Sequence, residues 1–195
     1  RRLRVLADAC QALGTQVITI CSGTFDADDM WRRHPDNDTP AAWARLVATL
    51  ERALPVAQAA GVRLAFEPEQ ANVVTSAYKA RRLLDHFASP HLKVTFDAAN
   101  LFERATLTEQ RRIVSEACDL LGGDISLAHA KDRDGQGRFV AAGEGVLDYD
   151  HYVAELKRVG YDGPLVLHGL APAQARACSA FVRSKLQAVG AARRT

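Results

Sequence analysis

Apolar residues along the chain switch repeatedly between helical spacing and strand alternation. Leu3, Leu6, Ala7, Cys10 and Leu13 lie on one helical stripe that ends at Gly14. QVITIC follows as a strand, then a polar stretch from Ser22 to Asp38 that is too long for a simple turn. Thr39 and Pro40 make an N-cap and first-turn pair. They open a helix with Trp43, Leu46, Val47, Leu50, Leu54 and Ala57 on one face, kinked at Pro55 and closed by Gly61. VRLAFE is the next strand, and Thr75 or Ser76 starts a helix carrying Ala80, Leu83, Leu84 and Phe87. After the strand KVTFD, a helix from about Thr108 uses Ile113, Ala117, Leu120 and Leu121 and stops at Gly122 and Gly123. ISLAH leads into a Gly-rich loop that ends at Asp148, the expected N-cap of a helix burying Tyr149, Tyr152, Val153, Leu156 and Val159. PLVLH is the last strand, and Pro172 starts a final helix with Cys178, Phe181, Val182 and Leu186.

Strands alternating with helices imply a parallel sheet with right-handed crossovers. Within the strands, Val62, Leu64 and Phe66 share one face while Arg63, Ala65 and Glu67 share the other. Val94 and Phe96 likewise oppose Lys93, Thr95 and Asp97. One face suits helices and the other is mixed, whereas an open doubly wound sheet is apolar on both. In ISLAH the parity is weaker, because Ile125 and Leu127 alternate in step with His129. A mixed inner face fits an α/β barrel of the (β/α)8 TIM type better than a five-strand flavodoxin-like sheet. The expected fold is one domain over residues 1–195, covering about the C-terminal five βα units of such a barrel, with the N-terminal units missing.

Four of the strands end in a side chain able to bind metal: Glu67, Asp97, His129 and His168. The intervals between them match one strand–loop–helix–loop unit, so parallel neighbours would gather all four at one edge. Mixed carboxylate and imidazole donors there would hold one divalent ion, with Mn2+, Zn2+, Co2+ and Mg2+ all open.

Composition narrows the surroundings of that site. Hydrophobic residues at 48% and charged residues at 25% are ordinary for a globular domain. A net charge of +2 with dispersed arginines gives no nucleic-acid footprint. No apolar run reaches membrane-spanning length, and no signal-peptide pattern opens the chain. Cys10, Cys21, Cys118 and Cys178 form no CxxC pair, which favours thiols packed in a reducing, cytoplasmic setting. Arg1, Arg2, Arg193 and Arg194 are terminal charges without a pattern.

Four motifs in order carry a resemblance to a known family: FEPE at Phe66–Glu69, FDAAN at Phe96–Asn100, HAKD at His129–Asp132, and GEGVLDY at Gly143–Tyr149 ahead of GYDGPLVLH. The chain resembles the xylose isomerase-like TIM barrels, a family that includes sugar and sugar phosphate isomerases and epimerases and, more distantly, endonuclease IV. The resemblance implies that Glu67, Asp97 and His129 are metal ligands. It also places His168 where relatives usually carry a ligand Glu, which removes one negative charge and favours nitrogen-tolerant ions such as Zn2+ over Mg2+. Asn100 stands where many relatives place a substrate-contacting His.

The implied reaction is proton abstraction next to a carbonyl, with the metal as Lewis acid. Glu67 is the expected base, and Lys131 is expected to stabilise an enediolate or bind a phosphate oxygen. Glu69 and Asp132 are expected to orient ligands or substrate. The expected partner is a small carbohydrate; a homo-oligomer is open. Each residue also has a plainer reading. A single strand-end acid is often a helix cap, His168, just before Gly169, could cap the last helix region or bind substrate, and Lys131 could be a solvated loop residue. The GEG glycines could simply shape a turn, and His34, His86, His91 and His151 could be ordinary surface residues. Two other functions fit the same motifs: an endonuclease IV-like phosphodiester hydrolase, which should carry more histidines and a basic groove, and a non-catalytic metal- or sugar-binding barrel.

Overall fold

The computed structural model describes residues 2–192; Arg1, Arg193 and Arg194, three of the terminal charges, lie outside the described residues. The chain resolves into two compact units. The first is built from the chain up to Thr95 together with Asp124–Ser126, the second from Phe96–Gly123 and the chain from Leu127 onward.

The first unit alternates helix and strand as the apolar spacing predicts: α1 (Arg2–Leu13), β1 (Val17–Cys21), α2 (Pro40–Ala59), β2 (Arg63–Glu67), α3 (Ala77–Phe87) and β3 (Leu92–Phe96). β1, β2 and β3 pair in parallel, with Ile18 opposite Leu64 and Leu64 opposite Leu92. Ile18, Leu46, Leu50, Leu64, Phe66, Leu83, Leu92 and Val94 form its buried core. The mixed strand face is buried as well: Ala65 and Thr95 are both fully covered. Thr95 Oγ1 donates to Ala65 O at 3.3 Å and shares a second hydrogen bond with Thr19 Oγ1 at 3.3 Å. A hydroxyl on an inward face is therefore satisfied within the sheet, as a buried polar group must be.

Caps set the helix limits. Thr39 accepts from Ala42 N to open α2, which runs unbroken through Pro55. Ser76, not Thr75, caps α3 by accepting from Lys79 N. The long polar stretch before α2 is tied down by Asn37, whose Nδ2 donates to Ala71 O at 2.8 Å and whose Oδ1 accepts from Phe25 N at 2.7 Å. Trp31, within that stretch, remains exposed.

The second unit holds α4 (Leu107–Leu121), all but the first two residues of β4 (Ile125–Ala130), a two-residue-per-strand hairpin of β5 (Asp132–Arg133) and β6 (Phe139–Val140), α5 (Tyr149–Arg158), β7 (Leu165–Leu167) and α6 (Ala175–Ala192). α4 starts one residue before Thr108 because Thr106 and Glu109 form a reciprocal capping box. Pro172 opens a 3-10 turn rather than α6 itself. Asp148 caps α5 as expected, accepting from His151 N at 3.1 Å. The hairpin was not legible in advance: its strands are two residues long and its apolar alternation is too short to register. β4 and β7 pair in parallel, Ala128 opposite Leu165 and Ala130 opposite Leu167. Among the described residues no helix is long and apolar enough to cross a membrane.

The cysteines are free thiols, and Cys10, Cys118 and Cys178 are buried as their helical positions predict. Burial pushes the Cys118 thiol up to about 12, so it stays a packing residue at neutral pH.

Two stability outcomes follow. α3 ends at Ala88 in the left-handed region, φ 44° and ψ 39°, where a Cβ is unfavourable and glycine is not. Ala88→Gly is expected to raise unfolding free energy by about 0.5–1 kcal/mol; a lower urea midpoint would count against this. Asp124 accepts from Lys93 Nζ at 2.5 Å and Arg81 Nη1 at 2.8 Å. Burial alone would raise its pKa, but the two cations hold it below the ordinary carboxylate value. A carboxyl depressed on folding stabilises the fold above its unfolded pKa, and that contribution disappears as pH falls through the folded value. Asp124→Asn is therefore expected to cost about 1–3 kcal/mol at pH 7, with the gap to wild type closing below about pH 4 in denaturant titrations run across pH.

Candidate metal centre

β3 runs straight into Asp97, whose backbone is still extended. One carboxylate oxygen then serves local structure: Oδ1 accepts from Ala99 N at 3.0 Å and caps the 3-10 turn Ala98–Asn100. The other does not. Asp97 Oδ2 is buried and receives no hydrogen bond of good geometry among the described residues. It has two ionic neighbours, His129 Nδ1 at 3.4 Å and Lys131 Nζ at 3.0 Å.

The β4–β7 register delivers the third group. His168 follows β7 directly, and its N–H donates to Ala130 O at 3.1 Å, extending the parallel pairing by one residue. Its ring lies flat against that of His129, with centroids 4.4 Å apart and planes 4° apart. One donor atom each from Asp97, His129 and His168 falls within 4.8 Å of the others; His129 is buried and His168 is exposed. Burial would raise the Asp97 pKa, but His129 and Lys131 outweigh it and hold the group below the ordinary value. It is a carboxylate at neutral pH.

Lys131 is not a solvated loop residue. It is 5% exposed and its Nζ donates to Asn100 Oδ1 at 2.7 Å while facing Asp97 Oδ2. The Phe139 ring centroid lies 3.9 Å from Nζ, a cation–π distance. Its aliphatic stem passes Gly169 so closely that a Cβ there would meet Lys131 Cδ at 3.1 Å. Asn100 thus bonds to Lys131, in keeping with a place beside the site.

Asp132 has a different task. Its carboxylate accepts from the backbone N–H groups of Arg133, Gly143, Gly145 and Leu147 at 2.8–3.2 Å. It thereby folds the GEG loop around itself, and burial raises its pKa despite the four donors. The loop glycines are needed for this close approach. A Cβ on Gly145 would clash with Arg133 O and Asp132 Oδ1, and Gly143 sits at φ 89° against the Phe181 ring.

Glu67 and Glu69 belong to the first unit. Glu67 closes β2 opposite Cys21 and is 8% exposed. Glu69 is 7% exposed and turns back on its own loop, its Oε1 accepting from Ala71 N at 3.2 Å. Burial, together with both glutamates, raises the Cys21 thiol pKa.

Two tyrosines that the helical spacing placed merely in the core support the centre. Tyr152 Oη donates to His129 O at 3.0 Å and reaches Phe96 O at 3.5 Å, so one side chain of α5 touches the backbone next to two of the clustered residues. Tyr149 Oη donates to Lys131 O at 3.0 Å. Burial raises both phenols well above their usual pKa, so they remain donors. Only the polar tip of an otherwise apolar stripe could have signalled this. His34, His91 and His151 also do more than decorate the surface: His34 Nδ1 accepts from Asp36 N at 3.2 Å, His91 Nδ1 lies 2.8 Å from Val62 O and His151 Nε2 lies 3.0 Å from Ser115 Oγ.

The donor set suits a divalent cation: a carboxylate oxygen left without a hydrogen bond and two imidazoles at ligand spacing. Asp97, His129 and His168 would hold the ion, and it would supply Lewis-acid polarisation of a substrate oxygen.

Comparison with known proteins agrees with this architecture. The family model for the xylose isomerase-like TIM barrel matches residues 1–184. No curated protein matches the sequence. Among solved structures, a D-tagatose 3-epimerase-like protein superposes with a TM-score of 0.76 at 17% identity, covering 96% of this chain and 68% of the other. A D-allulose 3-epimerase from Methylomonas sp. in complex with D-allulose gives 0.66 at 18% identity, over 87% of this chain and 55% of its own. A xylose isomerase-like TIM barrel protein from Mycobacterium smegmatis in complex with magnesium gives 0.68 at 16% identity, over 97% and 66%. The chain thus spans between 55% and 68% of the length of these three structures. At such identities the likeness establishes a TIM-barrel-like α/β fold.

The Gly145 contacts give a direct check. Gly145→Ala is expected to cost at least about 2 kcal/mol, because it forces the loop off Asp132 and strands a buried carboxylate. Thermal melts would register the loss; a variant as stable as wild type would show that the loop moves freely.

Proposed function

The chain belongs to the xylose isomerase-like TIM barrel family, and from that premise we propose that the protein is a metal-dependent sugar isomerase or epimerase acting by proton transfer next to a carbonyl. The observation that carries the reading is the cluster of Asp97 Oδ2, His129 and His168, in which a buried carboxylate oxygen lacks a hydrogen bond. Asp97 and His168 follow their strands directly and His129 is the last residue but one of β4, so all three lie at the C-terminal side of strands, the edge on which barrels of this type build their sites. The family match over residues 1–184 supports reading the chain as one barrel-type domain.

In this reading Glu67, at the end of β2, takes the proton from the carbon next to the carbonyl, and the electron pair moves onto the carbonyl oxygen. Lys131 holds an ammonium where negative charge would gather on substrate oxygens, and Asn100 and Phe139 fix its position. Returning the proton to the opposite face inverts the carbon; returning it to the former carbonyl carbon moves the carbonyl, provided the hydroxyl on the first carbon gives up its proton while the former carbonyl oxygen takes one. With His168 in place of a glutamate, the second proton donor must be another group, such as Lys131 or a water. Asp132 acts at one remove, by fixing the loop that follows Lys131. The neighbours named for tagatose and allulose epimerases make ketohexoses the first substrates to try.

The test is exchange of solvent deuterium into D-allulose or D-tagatose, with divalent metal added, followed by NMR. Wild type is expected to label the carbon beside the carbonyl, and Glu67→Gln to slow labelling by about 10²–10⁴-fold. Equal labelling by the variant would remove Glu67 as the base. Binding of sugar without any labelling would favour a non-catalytic sugar-binding barrel.

A further inference from the structure

Lys131 and Arg133 are both buried, each 5% exposed, and one aromatic ring covers both charges. The Phe139 centroid lies 3.9 Å from Lys131 Nζ and 3.8 Å from Arg133 Cζ, while the ring itself is 45% exposed. Strand pairing puts it there, since Phe139 stands opposite Arg133 in the β5–β6 hairpin. The hairpin is held at both ends. Arg133 donates to Ala99 O and Gly137 O, and Arg104 donates twice to Gln136 O at 3.1 Å, tying the tip to the loop after β3. Beneath the ring the ammonium is already engaged. Of its three N–H groups, one goes to Asn100 Oδ1 at 2.7 Å, and Nζ also faces Asp97 Oδ2 at 3.0 Å.

We propose that Phe139 is a specificity-determining residue: it bars phosphate and carboxylate groups from Lys131 and Arg133, and so restricts the centre to uncharged sugars. The inference rests on the sugar isomerase or epimerase reading above and narrows its substrate class. A phosphate is strongly hydrated, and only direct, charge-assisted hydrogen bonds repay the loss of that water. Lys131 and Arg133 carry the right donors, but the ring stands in the way. An enediolate oxygen asks for less, because the field of a nearby ammonium acts on it through space. An uncharged sugar also loses little against the exposed ring, since its C–H groups are apolar.

The experiment has two arms. In the first, metal-free protein is titrated with inorganic phosphate by calorimetry, so that no bound cation adds a phosphate site. Wild type is expected to show no saturable binding up to about 10 mM, and Phe139→Ala to bind with a Kd at least about tenfold below that limit. Adding Lys131→Met to Phe139→Ala is expected to remove most of the gain, which places the anion beneath the ring. In the second arm, deuterium labelling of D-allulose is compared with that of D-allulose 6-phosphate. Wild type is expected to favour the free sugar at least about a hundredfold in kcat/KM, and Phe139→Ala to shrink that preference at least about tenfold. A loss of fold alone would lower both rates and leave their ratio in place. Phe139→Thr, which suits a strand, repeats both arms should the alanine variant not fold. Saturable phosphate binding by wild type that Lys131→Met abolishes, no phosphate binding by either Phe139 variant, or an unmoved sugar preference overturns the gate and keeps the sugar reading. Labelling of neither sugar overturns the sugar reading, while the phosphate arm still decides whether Phe139 bars the anion.

Discussion

Asp97 divides its carboxylate between structure and chemistry. One oxygen caps the turn that follows β3, and that bond fixes the side chain. The other is consequently held in the protein interior, beside an imidazole and an ammonium, without a hydrogen bond of its own. A buried carboxylate in that state is costly unless opposite charge meets it. The positions of His129, Lys131 and, through the β4–β7 register, His168 all answer that one constraint.

The surrounding residues keep those answers in place. Tyr152 joins the backbone carbonyls of Phe96, just before Asp97, and of His129 through one hydroxyl. Tyr149 does the same for the Lys131 backbone. Asp132 gathers four backbone N–H groups and closes the loop after Lys131, which only glycines at 143 and 145 allow. Supporting groups of this kind orient metal-binding side chains and are as much a part of a site as its donors.

Much of this was legible in the residues. The alternation of helical and strand spacing places all six main helices and the five longer strands, and the caps at Thr39 and Asp148 can be read from residue type, whereas Thr75 and Ser76 are equal candidates until the structure picks Ser76. The strand-end pattern names Glu67, Asp97, His129 and His168 together; among the described residues the last three have donor atoms within 4.8 Å of one another, and Glu67 is not in that group. What stayed hidden depends on distance in space. No spacing rule shows that Asp132 turns toward its own loop, or that Lys131 reaches back to Asp97 across the end of a strand. The hairpin of β5 and β6 is too short for periodicity, yet it brings Phe139 over the Lys131 ammonium. α4 begins at Leu107 rather than near Thr108 because Thr106 caps it and Glu109 bonds back, a reciprocal arrangement that apolar periodicity does not weigh.

Everything about this centre depends on whether Asp97, His129 and His168 hold a cation. Anomalous diffraction from crystals soaked in Zn2+, collected on both sides of the zinc absorption edge, would locate the ion without reference to activity. A single strong peak bonded to Asp97 Oδ2 and to one nitrogen each of His129 and His168 is expected. Zinc found only at other residues, with Lys131 still alone against Asp97, would contradict it.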